Sequence, residues 1–228
     1  MRESSRAARR ARADAGATET ARLETFADGV FAIAITLLIL EIAVPHVETG
    51  ESLGAALADQ WPSYAAYMVS FITIGIMWVN HHHMFTLIQR STHSFLMLNV
   101  LFLMPIAALP WPTALVAEYI RDPSARPVAT LVYGGTMVAI AVMYNVVWRY
   151  AVHRGLLRRD VDPDAIRRAS RGYLAGPTGY AVAALLALVN AWISLLLFAA
   201  FAVYWLLPVS GPRPGMVRTP EGSGEEVR

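Results

Sequence analysis

A chain of 228 residues in which 56% are apolar and only 16% charged has too little charge to solvate a water-soluble surface, so it is an integral membrane protein. Its net charge is +2, it has no cysteine, and all 19 of its basic residues are arginine. Disulfides, iron–sulfur clusters, thiolate metal sites and nucleophilic thiols are thereby excluded, as are lysine Schiff bases and the lysine of a phosphate-binding loop.

The N-terminal stretch, residues 1–21, is rich in Arg, Ala and Ser and has no apolar centre, which excludes a secretory signal peptide. It reads as a disordered basic cytoplasmic tail. Residues 22–208 form one membrane domain, and residues 209–228, rich in Pro, Gly and charge, read as a second disordered cytoplasmic tail.

Crossing a hydrocarbon core takes about 20 helical residues, and on that ruler the apolar runs divide into six helices. The first runs from about Phe26 to Val44, before Pro45; the second from about Ser63 to Asn80; the third from about Ser94 to Leu115; the fourth from about Val128 to Tyr150. From Tyr173 to Leu207 the chain is apolar for too long for one crossing, and it is divided into a hairpin that turns near Asn190 and Ala191. The fold class is therefore all-α and polytopic. Trp61, Tyr64, Trp78, Trp111, Trp148, Tyr150 and Trp205 fall near helix ends, as an interfacial aromatic belt.

Orientation follows from arginine. The loop between helices four and five, with Arg149 at its edge, carries seven arginines, and the N-terminal tail carries another group, so both face the cytoplasm. The loop from Pro45 to Pro62 holds Glu48, Glu51 and Asp59 and no arginine or lysine, as an outer loop should. Arg121 and Arg126, in the next outer loop, dissent. Six crossings place both termini in the cytoplasm.

Helix one carries a charged and aromatic start, Arg22, Phe26 and Asp28, that leads directly into its apolar run. A carboxylate at the hydrocarbon edge must be paired, hydrated or protonated. Arg22 and Asp28 are six apart, about 240° around a helix, so their partners come from another helix. Trp78, Asn80, His81, His82 and His83 on helix two lie at the same depth and are the nearest candidates. The three consecutive histidines do not make a metal site by themselves, since successive helical residues point about 100° apart. Deeper in helix one, Ile33, Leu37 and Leu40 lie within about 40° of one another on one stripe, with Thr36 beside it. Aliphatic residues so spaced ordinarily face lipid or a neighbouring helix.

The R-x-x-x-F-[SA]-D start (Arg22, Phe26, Ala27, Asp28), the GVFAIAITLLILEI run and the Trp78-x-Asn80-His81-His82 end of helix two resemble the transmembrane protein 175 family of potassium channels, in its bacterial single-repeat form. The resemblance implies a homotetramer with helix one of each copy lining a central pore. It assigns Ile33, Leu37 and Leu40 to pore constrictions and Thr36 to potassium selectivity. Arg22, Phe26 and Asp28 with Trp78, Asn80, His81 and His82 become a structural network that holds helix one to helix two. The usual serine of the motif is Ala27 here, so one hydroxyl of that network is missing.

The expected function is a leak-like, potassium-selective cation channel of the bacterial inner membrane. Its expected partners are potassium ions, lipid and further copies of itself; no catalysis, cofactor, bound metal or nucleic acid is expected. Two alternatives are a proton- or ion-coupled transporter that titrates Asp28, and a membrane enzyme that holds metal or haem on its histidines.

Overall fold

The computed structural model describes residues 2–206 apart from 48 and 51, with side chains over 19–205; the expected tail at 209–228, Glu48 and Glu51 lie outside the described residues. Among these residues the fold is helical, without a strand. Helix α1 spans Arg2–Leu37, tightens into a 3-10 turn at Leu38–Glu41, and gives way to extended backbone at Ile42. The chain straightens before Pro45 because a residue preceding proline is disfavoured in the helical region. Residues 2–21, expected to be disordered, continue α1 instead, as their Ala- and Arg-rich composition has high intrinsic helix propensity.

Short helix α2 (Leu53–Asp59) leads to α3 (Trp61–Thr86), where Pro62 takes a first-turn position that has no intrahelical use for an N–H. The expected third helix is divided. It forms α4 (His93–Ala107), whose first turn is capped by the Thr92 hydroxyl accepting from Phe95 N–H at 3.2 Å, and α5 (Pro110–Tyr119). The break at Ala108 and Leu109 precedes Pro110, which has no N–H and whose ring conflicts with the carbonyl four residues back. Helix α6 spans Arg126–His153, and α7, within the arginine-rich loop, spans Pro163–Gly172. Helices α8 (Ala175–Leu186) and α9 (Ala191–Leu206) form the hairpin, and Asn190 Oδ1 at the turn accepts from Trp192 N–H at 2.9 Å.

Among the described residues four segments are long and apolar enough to cross a membrane: Glu19–Glu41, Trp61–Thr86, His93–Tyr119 and Arg126–His153. Helices α8 and α9, at 12 and 16 residues, fall short of the roughly 20 that a full crossing takes. Helix α1 packs on α3 and α4, while α8 and α9 pack on α6. The core centres on Phe31, His81, Phe95, Phe102 and Trp148, all buried. Trp148 thus departs from the interfacial belt: its Nε1–H donates to Ser170 Oγ at 2.8 Å and ties α7 to α6.

At the arginine-rich end two loops clasp each other. Gln89 N–H donates to Leu156 O at 2.9 Å, Arg158 N–H donates to Leu87 O at 2.9 Å, and Ile88 bridges to Leu157. At the opposite end the dissenting arginines are bound internally. Arg121 donates to the Asp59 carboxylate at 2.8 Å and to its carbonyl at 2.7 Å. Arg126 donates to Ile120 O and lies 4.8 Å over the Trp192 ring.

Candidate functional site: the first membrane helix

Two faces of α1 have opposite fates. Leu23, Ala27, Phe31, Ala34 and Leu38 recur at spacings of three and four and are buried against the bundle. On the other side lie Arg22, Phe26, Gly29, Ile33, Thr36, Leu37 and Leu40, all exposed. Ile33 is 60% exposed and Leu40 73%, large values for aliphatic residues on a helix packed along its opposite face. The Thr36 hydroxyl donates to Ile33 O at 2.9 Å, so its own oxygen keeps acceptor capacity toward the open side.

The polar end of α1 is pinned to α3 by two rungs. Trp78 Nε1–H donates to Asp28 Oδ1 at 2.8 Å, and His82 Nδ1 donates to Glu24 Oε1 at 2.8 Å. Glu24 and Asp28 are one helical turn apart, as are Trp78 and His82, so the two helices meet in register. The Trp78 and His82 rings stack with centroids 6.4 Å apart. A third contact continues the ladder outward, where Ser91 Oγ–H donates to Glu19 Oε2 at 2.8 Å.

The remaining motif residues go elsewhere. His81 turns into the core, where Nε2 donates to Asn99 Oδ1 at 3.0 Å and the ring stacks on Phe85 and Phe102, with centroids at 4.2 and 5.7 Å. It therefore ties α3 to α4, and it also contacts Phe31 of α1, at 5.5 Å between rings. Asn80 contributes its carbonyl, which accepts from Tyr144 Oη–H at 3.0 Å. His83 is exposed. The three histidines thus diverge, and no group of three or more metal-ligating side chains forms among the described residues.

Arg22 differs from the expectation. It lies on the exposed face with Phe26 and makes no hydrogen bond or ion pair among the described residues, so within one chain helix two does not supply its partner. Ala27 is fully buried, where a methyl leaves no hydroxyl to satisfy. Sequence reasoning missed Glu24, Asn99 and Phe31. Glu24 could have been found, since it stands one turn before Asp28 as Trp78 stands one turn before His82.

Residues 22–110 match the family described as endosomal/lysosomal potassium channel TMEM175. A potassium channel of Streptomyces collinus is 46% identical over 188 residues, which cover 82% of this chain and 91% of the relative. A potassium channel of Chamaesiphon minutus is 44% identical over 83% of this chain and 95% of its own length. The crystal structure of a lysosomal potassium-selective channel TMEM175 homologue from Chamaesiphon minutus superposes with a TM-score of 0.76 at 41% identity, covering 83% of this chain and 97% of that one.

Proposed function

The chain belongs to the TMEM175 family of potassium channels and is a multi-pass membrane channel, not an enzyme; from that premise we propose that four copies enclose a pore lined by the exposed face of α1. The observation that carries this reading is the one-sided burial of α1. A helix pinned along one side by Trp78 and His82 presents Ile33, Thr36, Leu37 and Leu40 on the other, facing a shared axis. The arginine distribution supports six crossings with both termini in the cytoplasm; α8 and α9, each short of a full crossing as a regular helix, make the last two together with the hydrogen-bonded turns that flank α8. The home of the channel is the bacterial inner membrane.

Rings of Ile33, Leu37 and Leu40 side chains form a constriction with no group to replace an ion's hydration shell, so it regulates passage by wetting and drying. Thr36, with its oxygen free to accept, supplies the polar layer between them and bears on potassium selectivity. Asp28 with Trp78 and Glu24 with His82 hold α1 to α3, and His81 and Asn80 tie α3 to its other neighbours, whereas Arg22 and Phe26 stand on the open face of α1, available to another copy. Conduction is leak-like, since no segment long and apolar enough to cross the membrane carries the regularly spaced arginines of a voltage sensor.

The test is ion flux and unitary current from purified protein in liposomes under potassium and then sodium gradients, for wild type and Ile33→Asn. Potassium-favouring currents are expected, with a wetter, less selective pore in the variant. Silence from folded, inserted protein would sink the reading. A carrier built on Asp28 would instead give saturable, pH-dependent flux without unitary steps.

A further inference from the structure

We propose that the arginine face of α7 binds the phosphate headgroups of anionic phospholipid in the leaflet at the arginine-rich end of the bundle. Over residues 149–172 there are seven arginines and three aspartates, a surplus of four positive charges. Positive-inside topology requires such a surplus but not its display on a folded frame. Here the frame is built. Ala165 is buried and Ile166 and Ala169 pack on the core, which leaves Arg167, Arg168 and Arg171 exposed on one face of α7.

That face is fixed from three sides. Asp162 caps α7, accepting from Asp164 N–H at 3.2 Å and Ala165 N–H at 3.3 Å. Ser170 receives the Trp148 indole N–H, and the loop clasp at Leu156 and Arg158 anchors the approach to the helix. Local aspartates answer only part of the charge. Arg167 pairs with Asp164, and Arg168 stands 3.7 Å from Asp162, whereas Arg159 and Arg171 have no hydrogen bond or ion pair among the described residues.

The occupant is a lipid rather than a soluble anion because of what adjoins the arginines. Leu174, one turn beyond Arg171, is exposed, and Val182 and Leu185 continue an exposed apolar side along α8. A phosphate held at Arg171 therefore has an apolar surface beside it for its acyl chains. The inference rests on the membrane-spanning reading of α6 and α8 and is independent of ion conduction.

The channel is reconstituted in nanodiscs of mixed phosphatidylcholine and phosphatidylglycerol, and co-purifying lipids are counted by native mass spectrometry. With each arginine near an anionic surface worth about fivefold in affinity, wild type should retain phosphatidylglycerol well above its bulk share. The variant R167Q/R168Q/R171Q should keep less than about one-tenth of that excess over the bulk share. Retention in proportion to bulk composition, or undiminished enrichment in the variant, would overturn the proposal. If that variant fails to fold, wild type alone decides at about 1 M salt, where the screening length is about 3 Å: enrichment should vanish, and enrichment that persists overturns the proposal. Tryptophan quenching by brominated phosphatidylcholine reports insertion separately, so loss of the spanning reading is distinguishable from loss of headgroup preference.

Discussion

Asp28 is a carboxylate at the edge of a hydrocarbon layer, where it persists only with a donor, and Trp78 Nε1–H supplies one at 2.8 Å from the next helix. A hydrogen bond to a charged acceptor contributes about 1.5–3 kcal/mol. The cycle of Asp28→Ala, Trp78→Phe and the double variant, followed by detergent-induced unfolding, should therefore show a coupling of about 1–2 kcal/mol. A coupling near zero would mean that the bond does not fasten α1 to α3. This contact was legible from the sequence because depth alone brings the two residues to one level. The neighbouring Glu24–His82 rung was also legible, had the matching one-turn spacings been compared. The route of Arg22 was not, because nothing among the described residues of a single chain meets it.

At the scale of elements, helix existence and order follow from apolar run length, whereas helix ends follow from local chemistry that run length does not contain. Proline made the difference twice, straightening the chain after Glu41 and dividing α4 from α5. Helix α7 was hidden in a charged loop, although Asp162 followed by Pro163 is a helix-start signature. Two inter-helix joints are testable. His81 ties α3 to α4 through Asn99, so His81→Ala should leave both a cavity and a buried amide without its donor, costing about 2–4 kcal/mol in unfolding assays. At the other end, the hydrogen bond from Arg121, aided by its charge, holds the Asp59 carboxyl below the ordinary value of 3.8. A depressed carboxyl stabilises the fold above its unfolded value and ceases to do so as pH falls through the folded one. The thermal midpoint of wild type should thus exceed that of Asp59→Asn by a small, constant margin from neutrality down to about pH 4, and the margin should close below it. The absence of any margin at neutral pH would assign the joint to the Arg121 bond with the Asp59 carbonyl, which both proteins keep.

For the whole molecule, exposure of apolar residues does not by itself separate a pore from a lipid face, since Leu40, in the 3-10 turn that continues α1, and Leu185 on α8 are 73% and 62% exposed. What separates them is water. If four α1 helices surround an axis, Leu40 borders an aqueous path, and Leu185 borders lipid. The chain has no cysteine, so a single thiol introduced at either position is the sole target in the assembly. The thiolate, which forms in water and is suppressed in hydrocarbon, attacks a cationic thiosulfonate reagent to give a mixed disulfide and release sulfinate. Applied to proteoliposomes, such a reagent should sharply reduce potassium flux through Leu40→Cys, because each subunit places a fixed positive charge in the conducting path. Leu185→Cys should conduct as before, with its thiol unmodified by mass. Block at Leu185, or a fully modified Leu40→Cys with unchanged flux, would move the pore away from α1 and return that face to the lipid.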